Sequence, residues 1–304
     1  MVGRLQDKVA IITGSSSGLG RAIAFAYIRE GARVVCADLS PAARADFKPR
    51  ADGSGVRADI LAEREVPTHE ALNRFVGAGK GGQVNGDAAG QGGEKGERAM
   101  FVKIDVTKAE EWDVLVKEVV GRWGRIDILI NNAGISWESR HSPMKLHDLP
   151  EEAFDQTIAV NLKSVWLGCR AVVGQMLKQE CHQPGNHLGW IINVSSIFGL
   201  VGSRMAPSYA ASKGAVANLT RSLALDYAAD RIHVNALNPG FVRTGIFADT
   251  TNNLGPEAAI DALHPFGGAG VPEDLAGPAV FLASADAQWV TGVNLSVDGG
   301  YVAQ

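Results

Sequence analysis

V-A-I-I-T-G-S-S-S-G-L-G-R-A-I-A-F-A-Y-I-R-E-G-A, residues 9–32, decides the fold. The apolar run ending at Thr13 has the length of a buried strand. A glycine-rich turn follows, and then apolar positions at helical spacing. Gly14, Gly18 and Gly20 permit a tight turn and let backbone N–H groups approach a pyrophosphate at the helix N-terminus, with Ser16, Ser17 and Leu19 between them. A glycine turn alone says little. One that follows a strand and opens a helix is the context a dinucleotide site requires.

Working outward, A-R-V-V-C-A-D forms a second strand ending at Asp38, followed by Leu39. An acid about 20 residues after the glycines is placed to bind adenosine ribose hydroxyls, and it repels a 2′-phosphate. NAD(H) is therefore expected over NADP(H). Residues 41–100 differ in character, and glycines crowd positions 77–96. This composition buries little surface and is expected to be a surface insertion with one or two short helices. The strand M-F-V-K-I-D-V places Asp105 and Val106 where a carboxylate and a backbone N–H can meet an adenine edge. After a helix over 108–123, the strand I-D-I-L-I leads to Asn131, Asn132, Ala133 and Gly134, small enough for close approach by a cofactor. Asn161 sits among apolar residues inside the next helix. Asparagine is a poor helix former, so burial there needs a specific hydrogen-bonding reason.

The segment Ser196–Lys213 carries the chemistry. Tyr209 and Lys213 are four apart on a predicted helix and share one face. A positive charge at ~4 Å, with an effective dielectric of ~20, is worth ~4 kcal/mol, or ~3 pK units. This draws the phenol toward neutrality, where an acid/base works best. Ser196 directly follows the run W-I-I-N-V-S, residues 190–195, and can hold a substrate oxygen beside the phenol. Further on, Pro239 and Gly240 shape a loop at the carboxyl edge of the sheet, where open α/β sheets bind ligands. Residues 243–270 are loop-rich, with Ile246, Phe247, Leu254, Leu263, Pro265 and Phe266, and read as a substrate-facing flap. P-E-D-L-A-G-P-A-V-F-L-A-S is a capped helix, and V-N-L-S-V-D-G-G-Y contains the last strand.

With 304 residues, 46% hydrophobic, the chain can build a substantial core. A net charge of −4 gives no electrostatic case for nucleic acid or an anionic membrane. No apolar run approaches a membrane span, and no signal peptide is evident. Cys36, Cys169 and Cys181 have no metal-ligand spacing. They read as reduced thiols of a cytoplasmic protein.

Together T-G-S-S-S-G-L-G, the Asp38 strand end, D-V at 105–106, N-N-A-G at 131–134, Asn161, I-N-V-S-S, Y-A-A-S-K, N-P-G-F-V-R-T and V-D-G-G-Y resemble the classical short-chain dehydrogenases/reductases. The likeness runs along nearly the whole chain apart from 41–100. It implies an α/β fold, a single domain with a Rossmann-type doubly wound parallel sheet in three α/β/α layers. It implies a tetrad of Asn161, Ser196, Tyr209 and Lys213. Tyr209 is then the proton donor or base, and Lys213 lowers its pKa and binds the nicotinamide ribose. Ser196, rather than Ser195, holds the substrate oxygen, and Asn161 anchors a relay water. Pro239, Gly240, Val242 and Thr244 fix the carboxamide. A homotetramer is implied, with dimer pairing through the helices that carry Asn161 and Tyr209. The segment Q-E-C-H-Q-P-G-N-H-L-G looks extended for the family.

The expected activity is NAD(H)-dependent interconversion of a secondary alcohol and a ketone. The expected substrate is small to medium, largely apolar and possibly cyclic, with Ser136, Trp137, Phe198, Met205 and Phe247 near it. Arg140, Arg204 or Arg243 can pair with one anion. The competing readings are an NADPH-dependent 3-oxoacyl or polyketide-type ketoreductase, against which Asp38 argues, and a catalytically silent NAD-binding module. Silent relatives usually lack the tyrosine or lysine, and both are present here.

Overall fold

The computed structural model describes residues 3–42, 63–78, 96–182, 185–253 and 255–304. The expectations for Leu254 and most of the glycine-rich stretch lie outside these residues. Among the described residues, seven parallel strands form one sheet: β1 (Val9–Thr13), β2 (Arg33–Asp38), β3 (Ala99–Lys103), β4 (Ile128–Asn131), β5 (Gly189–Val194), β6 (Ile232–Pro239) and β7 (Asn294–Val297). Their order is β3-β2-β1-β4-β5-β6-β7. The order reverses between β1 and β4, and ligands of doubly wound sheets bind at the carboxyl ends of the strands beside such a point.

Strand periodicity sends alternate side chains to opposite faces. Ala10, Ile12, Val34 and Cys36 face helices α1 (Gly18–Arg29) and α2 (Thr68–Gly77) and the late helix Pro272–Leu282. Val9, Ile11, Val35 and Ala37 face the other layer, built from α3 (Ala109–Trp123) and, after α4 (Glu151–Ile158), α5 (Ser164–Met176) and α6 (Pro207–Asp226); α4 packs on α6. Both layers are as expected from the near-continuous apolar strands. The α2 helix is tied to the glycine turn, because Thr68 Oγ1 donates to Ser15 O at 2.8 Å and the buried Arg21 donates to Thr68 Oγ1 at 2.8 Å.

Residues 243–270 are more helical than expected, with α7 (Gly245–Asn253) and α8 (Glu257–Asp261) ahead of α9 (Pro272–Leu282). Polar residues that suggest loop in the sequence bond back into the helix. Thr250 Oγ1 donates to Ile246 O and Asn253 Nδ2 to Asp249 O.

The amino ends of the strands hold a buried polar floor on the side away from the cleft. Lys8 Nζ lies 3.3 Å from the Trp190 ring centroid and donates to Ala283 O. His233 stacks on the same indole, and its Nε2 lies 2.8 Å from His187 Nδ1. Asp127 accepts from Val9 N and pairs with Arg125 and His182. Burial pushes His187 down to about 4 and holds His233 low as well. Both folded values lie below the unfolded one, so the unfolded chain takes up protons first as the pH falls. Their contribution to stability is therefore full above pH 6.5 and is lost as the pH falls toward about 4. For His187 alone the loss reaches up to about 3 kcal/mol. The melting temperature should fall through this window, and less so in His187→Gln. Equal slopes in the two proteins would remove His187 from this account.

Candidate active site

The carboxyl ends of the strands open into a cleft of about 990 Å³. At one end is the glycine turn. Gly14 adopts φ +64°, and a Cβ there would meet Ala133 Cα and Asn132 Nδ2 at 3.0 Å. A Cβ on Gly20 would lie 2.3 Å from Gly14 O, so only glycine lets the helix start this close to the strand. Gly14, Ser17, Gly18 and Leu19 line the cleft, whereas Ser16 and Gly20 stand behind it. Ser16 N instead donates to Asp38 Oδ2 at 3.0 Å, and Leu39 N to Asp38 Oδ1 at 2.8 Å. These two bonds fix the carboxylate at the mouth, where Asp38 and Leu39 both line the cleft.

Asp105 and Val106 line the same end, with Ile104 and Thr107. Thr107 N and Oγ1 both donate to Asp105 Oδ1, and these bonds hold the Asp105 carboxyl below its usual range. The turn after β4 is pinned to β1, since Thr13 Oγ1 accepts from Asn132 N at 2.9 Å and Ala133 N at 3.0 Å. Asn132, Ala133 and Gly134 line the middle of the cleft, opposite Pro239, Gly240, Val242 and Thr244.

The other end holds the titratable cluster. Helix α6 opens at Pro207, which suits a first helical position. It presents Tyr209 and Lys213 to the cleft, and Ser196 reaches in from the loop after β5. The Ser196 hydroxyl accepts from Phe198 N at 3.2 Å and stands near enough to the Tyr209 phenol to draw its pKa down. Lys213 Nζ is 5.7 Å from the Tyr209 ring centroid and donates to Val194 O at 2.8 Å. Ser195 is turned away, its hydroxyl donating to Lys213 O at 2.8 Å. Asn161 lies in a π-helical turn, Ala159–Lys163, between α4 and α5. It is fully buried, accepts from Ile135 N at 2.8 Å, and donates to Ile135 O at 2.9 Å and Ser212 Oγ at 3.1 Å. Its side chain thus braces the loop after Gly134 against α6, which is the hydrogen-bonding reason its burial demands. A π turn is a common way to aim one residue out of helical register.

A family model described as short chain dehydrogenase matches residues 8–80, and one described as enoyl-(acyl carrier protein) reductase matches residues 84–302. The cyclopentanol dehydrogenase of Comamonas sp. is 33% identical over 304 residues, covering 99% of this chain and 100% of that protein. The 3-oxoacyl-(acyl-carrier-protein) reductase of Thermotoga maritima is 34% identical over 301 residues, covering 98% and 99%. The crystal structure of a short-chain type dehydrogenase/reductase from Mycobacterium marinum superposes with a TM-score of 0.74 at 28% identity, covering 100% of this chain and 98% of that one.

The chain belongs to the short-chain dehydrogenase/reductase family. The family's chemistry is NAD(P)-linked oxidoreduction between alcohols and ketones.

Within this short-chain dehydrogenase/reductase the electrostatics depart from the sequence expectation. Burial pushes the Tyr209 phenol up to about 12; the Ser196 hydroxyl opposes this and the Glu138 charge adds to it. Burial also pushes Lys213 down to about 8. Pairing a phenol with an ammonium on paper omits the desolvation of both, and here desolvation is the larger effect.

Of the expected substrate-side residues, Ser136, Phe198 and Phe247 line the cleft. Trp137 does not, because its ring stacks on His141 with centroids 3.6 Å apart. Met205 is also absent from the lining and is 39% exposed. Arg243 is neutralised by Asp261 and Glu257, and Arg140 meets Asp249 at 3.3 Å. The sequence reading missed Phe241 and Tyr301, which complete an aromatic wall with Phe198. Phe198 meets Phe241 and Tyr301 edge-on at 5.7 and 6.1 Å. Tyr301 is the last residue of V-D-G-G-Y, a motif whose spacing marks the last strand and the family but not a cleft wall.

Proposed function

We propose that this chain, acting as one domain, is an NAD(H)-dependent dehydrogenase that interconverts a secondary alcohol and a ketone on a small-to-medium, largely apolar substrate. The observation that carries this reading is a single cleft with Asp38 at one end and Tyr209, Ser196 and Lys213 at the other. The glycine cradle, which any Cβ at Gly14 or Gly20 would fill, fits a dinucleotide pyrophosphate at the start of α1. Asp38 takes the adenosine ribose hydroxyls. Among the described residues, no lysine or arginine lines that end of the cleft to receive a 2′-phosphate. Lys213 and the backbone from Asn132 to Gly134 hold the nicotinamide end, with Pro239, Gly240, Val242 and Thr244 opposite.

When bound, the dinucleotide supplies hydride donor and acceptor chemistry at its nicotinamide ring. The chain's own residues orient the substrate and move the proton. Ser196 Oγ holds the substrate oxygen beside the phenol. In the oxidation direction Tyr209 Oη takes the hydroxyl proton, and in reduction it returns one to the carbonyl oxygen. The Lys213 charge favours the phenolate. Asn161 keeps the loop at Gly134 and the helix bearing Tyr209 at fixed separation. Phe198, Phe241, Tyr301, Ile260 and Leu263 make the substrate end apolar, which favours hydrocarbon rings or chains over multiply charged substrates.

A second reading is an NADPH-dependent ketoreductase acting on 3-oxoacyl thioesters, favoured by the likeness to the Thermotoga reductase. Asp38 argues against it. Asp38→Ala should lower kcat/KM with NAD about tenfold and narrow the preference over NADP, as expected for losing hydrogen bonds from a charged group. An unchanged NAD/NADP ratio would refute the cofactor assignment. The reading extends to a cytoplasmic homotetramer. Exposed Phe154 and Trp166 on the helices flanking Asn161, and Leu225 on α6, support pairing through these faces.

A further inference from the structure

Helix α6 begins badly on its own. Its N-cap residue is Ala206, which has no side-chain acceptor for the free N–H groups of the first turn. The acceptor comes from 70 residues away. Glu138 Oε1 accepts from Ser208 N at 2.9 Å and Tyr209 N at 3.2 Å. Glu138 is 3% exposed, and its second oxygen, Oε2, is buried without a hydrogen-bond partner. Among the described residues, no lysine, arginine or histidine forms an ion pair with it. Burying a half-satisfied carboxylate is costly. A neutral cap such as serine at 206 would satisfy the same N–H groups without that cost.

The placement of Glu138 is also informative. It stands in the short turn Glu138–Arg140, whose other residues grip α7. Thr250 Oγ1 and Ser139 Oγ lie in hydrogen-bond contact at 3.2 Å, Asn253 Nδ2 donates to Ser139 O at 2.9 Å, and Arg140 pairs with Asp249. The turn therefore joins the helix over the substrate end of the cleft to the first turn of the helix that carries the phenol.

We infer that Glu138 is a positioning residue for Tyr209: its buried carboxylate fixes the first turn of α6 against the loop after β4. The inference rests on the reading of Tyr209 as the acid/base. The charged groups around the phenol are few. Lys213 lies on its own helix, Glu138 and Arg140 come from the turn, and Asp249 comes from α7. The segment after β5 contributes the Ser196 hydroxyl and the exposed Arg204, and the Tyr301 hydroxyl stands in the same cleft. Arg140 and Asp249 pair with each other at side-chain exposures of 50% and 39%, so Lys213 and Glu138 are the opposed buried charges. Glu138 acts on the phenol in the upward direction.

The test compares wild type, Glu138→Gln, Glu138→Asp and Glu138→Ala, measuring kcat for alcohol oxidation against pH and NADH affinity by fluorescence. Glu138→Gln keeps an acceptor for the helix and loses the charge. Its activity limb should move to lower pH by about half to one unit, with NADH affinity unchanged. Glu138→Asp keeps the charge and shortens the reach, so kcat should fall while the limb stays near its wild-type position. Glu138→Ala should lower kcat about tenfold or more through misplacement of the phenol. A Glu138→Gln profile superimposable on wild type would reduce Glu138 to a structural cap and overturn the inference. Failure of the underlying reading would show separately, as wild-type turnover in Tyr209→Phe.

Discussion

Tyr209→Phe should lower kcat by about 10²–10⁴ in both directions while NADH still binds. The phenyl ring keeps the packing of the first turn of α6, so folding should be near wild type. What disappears is the phenol hydroxyl, which shares the cleft with Ser196 and the buried Lys213. Ser196 alone has no means of accepting a proton at neutral pH. The loss should therefore appear in single-turnover hydride transfer as well as at steady state. A variant that slows product release and leaves the single-turnover rate intact would contradict this role.

Lys213→Ala should be the next most damaging change. An ammonium 5.7 Å from the Tyr209 ring favours the phenolate by roughly 3 kcal/mol at an effective dielectric of about 20, or about 10² in rate at neutral pH. Truncation also leaves the buried Val194 carbonyl without its donor, at a stability cost of about 1–3 kcal/mol. The pH dependence gives a further check. Burial lowers Lys213 to about 8, so its charge is present below that pH and is lost above it. The rate gap between wild type and Lys213→Ala should be widest near pH 7 and narrow above pH 8. A constant gap across that range would mean that Lys213 acts by shape or ribose binding and not by charge.

The sheet and the dinucleotide end of the cleft are legible in the sequence because they depend on local rules. Residues 9–32 contain strand, turn and helix within one unbroken stretch, and close packing excludes a Cβ at Gly20. The buried strands are continuous apolar runs, so their existence is plain even where their ends shift by a residue or two. The need for a hydrogen-bond partner at Asn161 is also legible. That its partners are the backbone groups of Ile135, and that the helix opens into a π turn there, depends on a neighbouring loop that periodicity does not describe.

The substrate end is less legible for the same reason. Trp137 precedes a 3-10 turn that directs its ring onto His141, and spacing from the N-N-A-G turn gives no side-chain direction. Tyr301 and Phe241 are far apart in the chain and meet only when β6 and β7 pair. Glu138 looks like an ordinary loop acid until the first turn of α6 is placed against it. The phenol's raised pKa was hidden because proximity to Lys213 can be read from a four-residue spacing, whereas burial cannot.

The most direct test of the central claim is NADH formation, followed by absorbance, with NAD and a panel of secondary alcohols running from open chains to fused apolar rings. Wild type and Tyr209→Phe are compared side by side. The account predicts turnover of at least one cyclic or extended apolar alcohol that depends on NAD and is lost in the Phe variant. Equal NADH formation by the two proteins would contradict the acid/base assignment. Tight NADH binding with no turnover across the panel would contradict the substrate class.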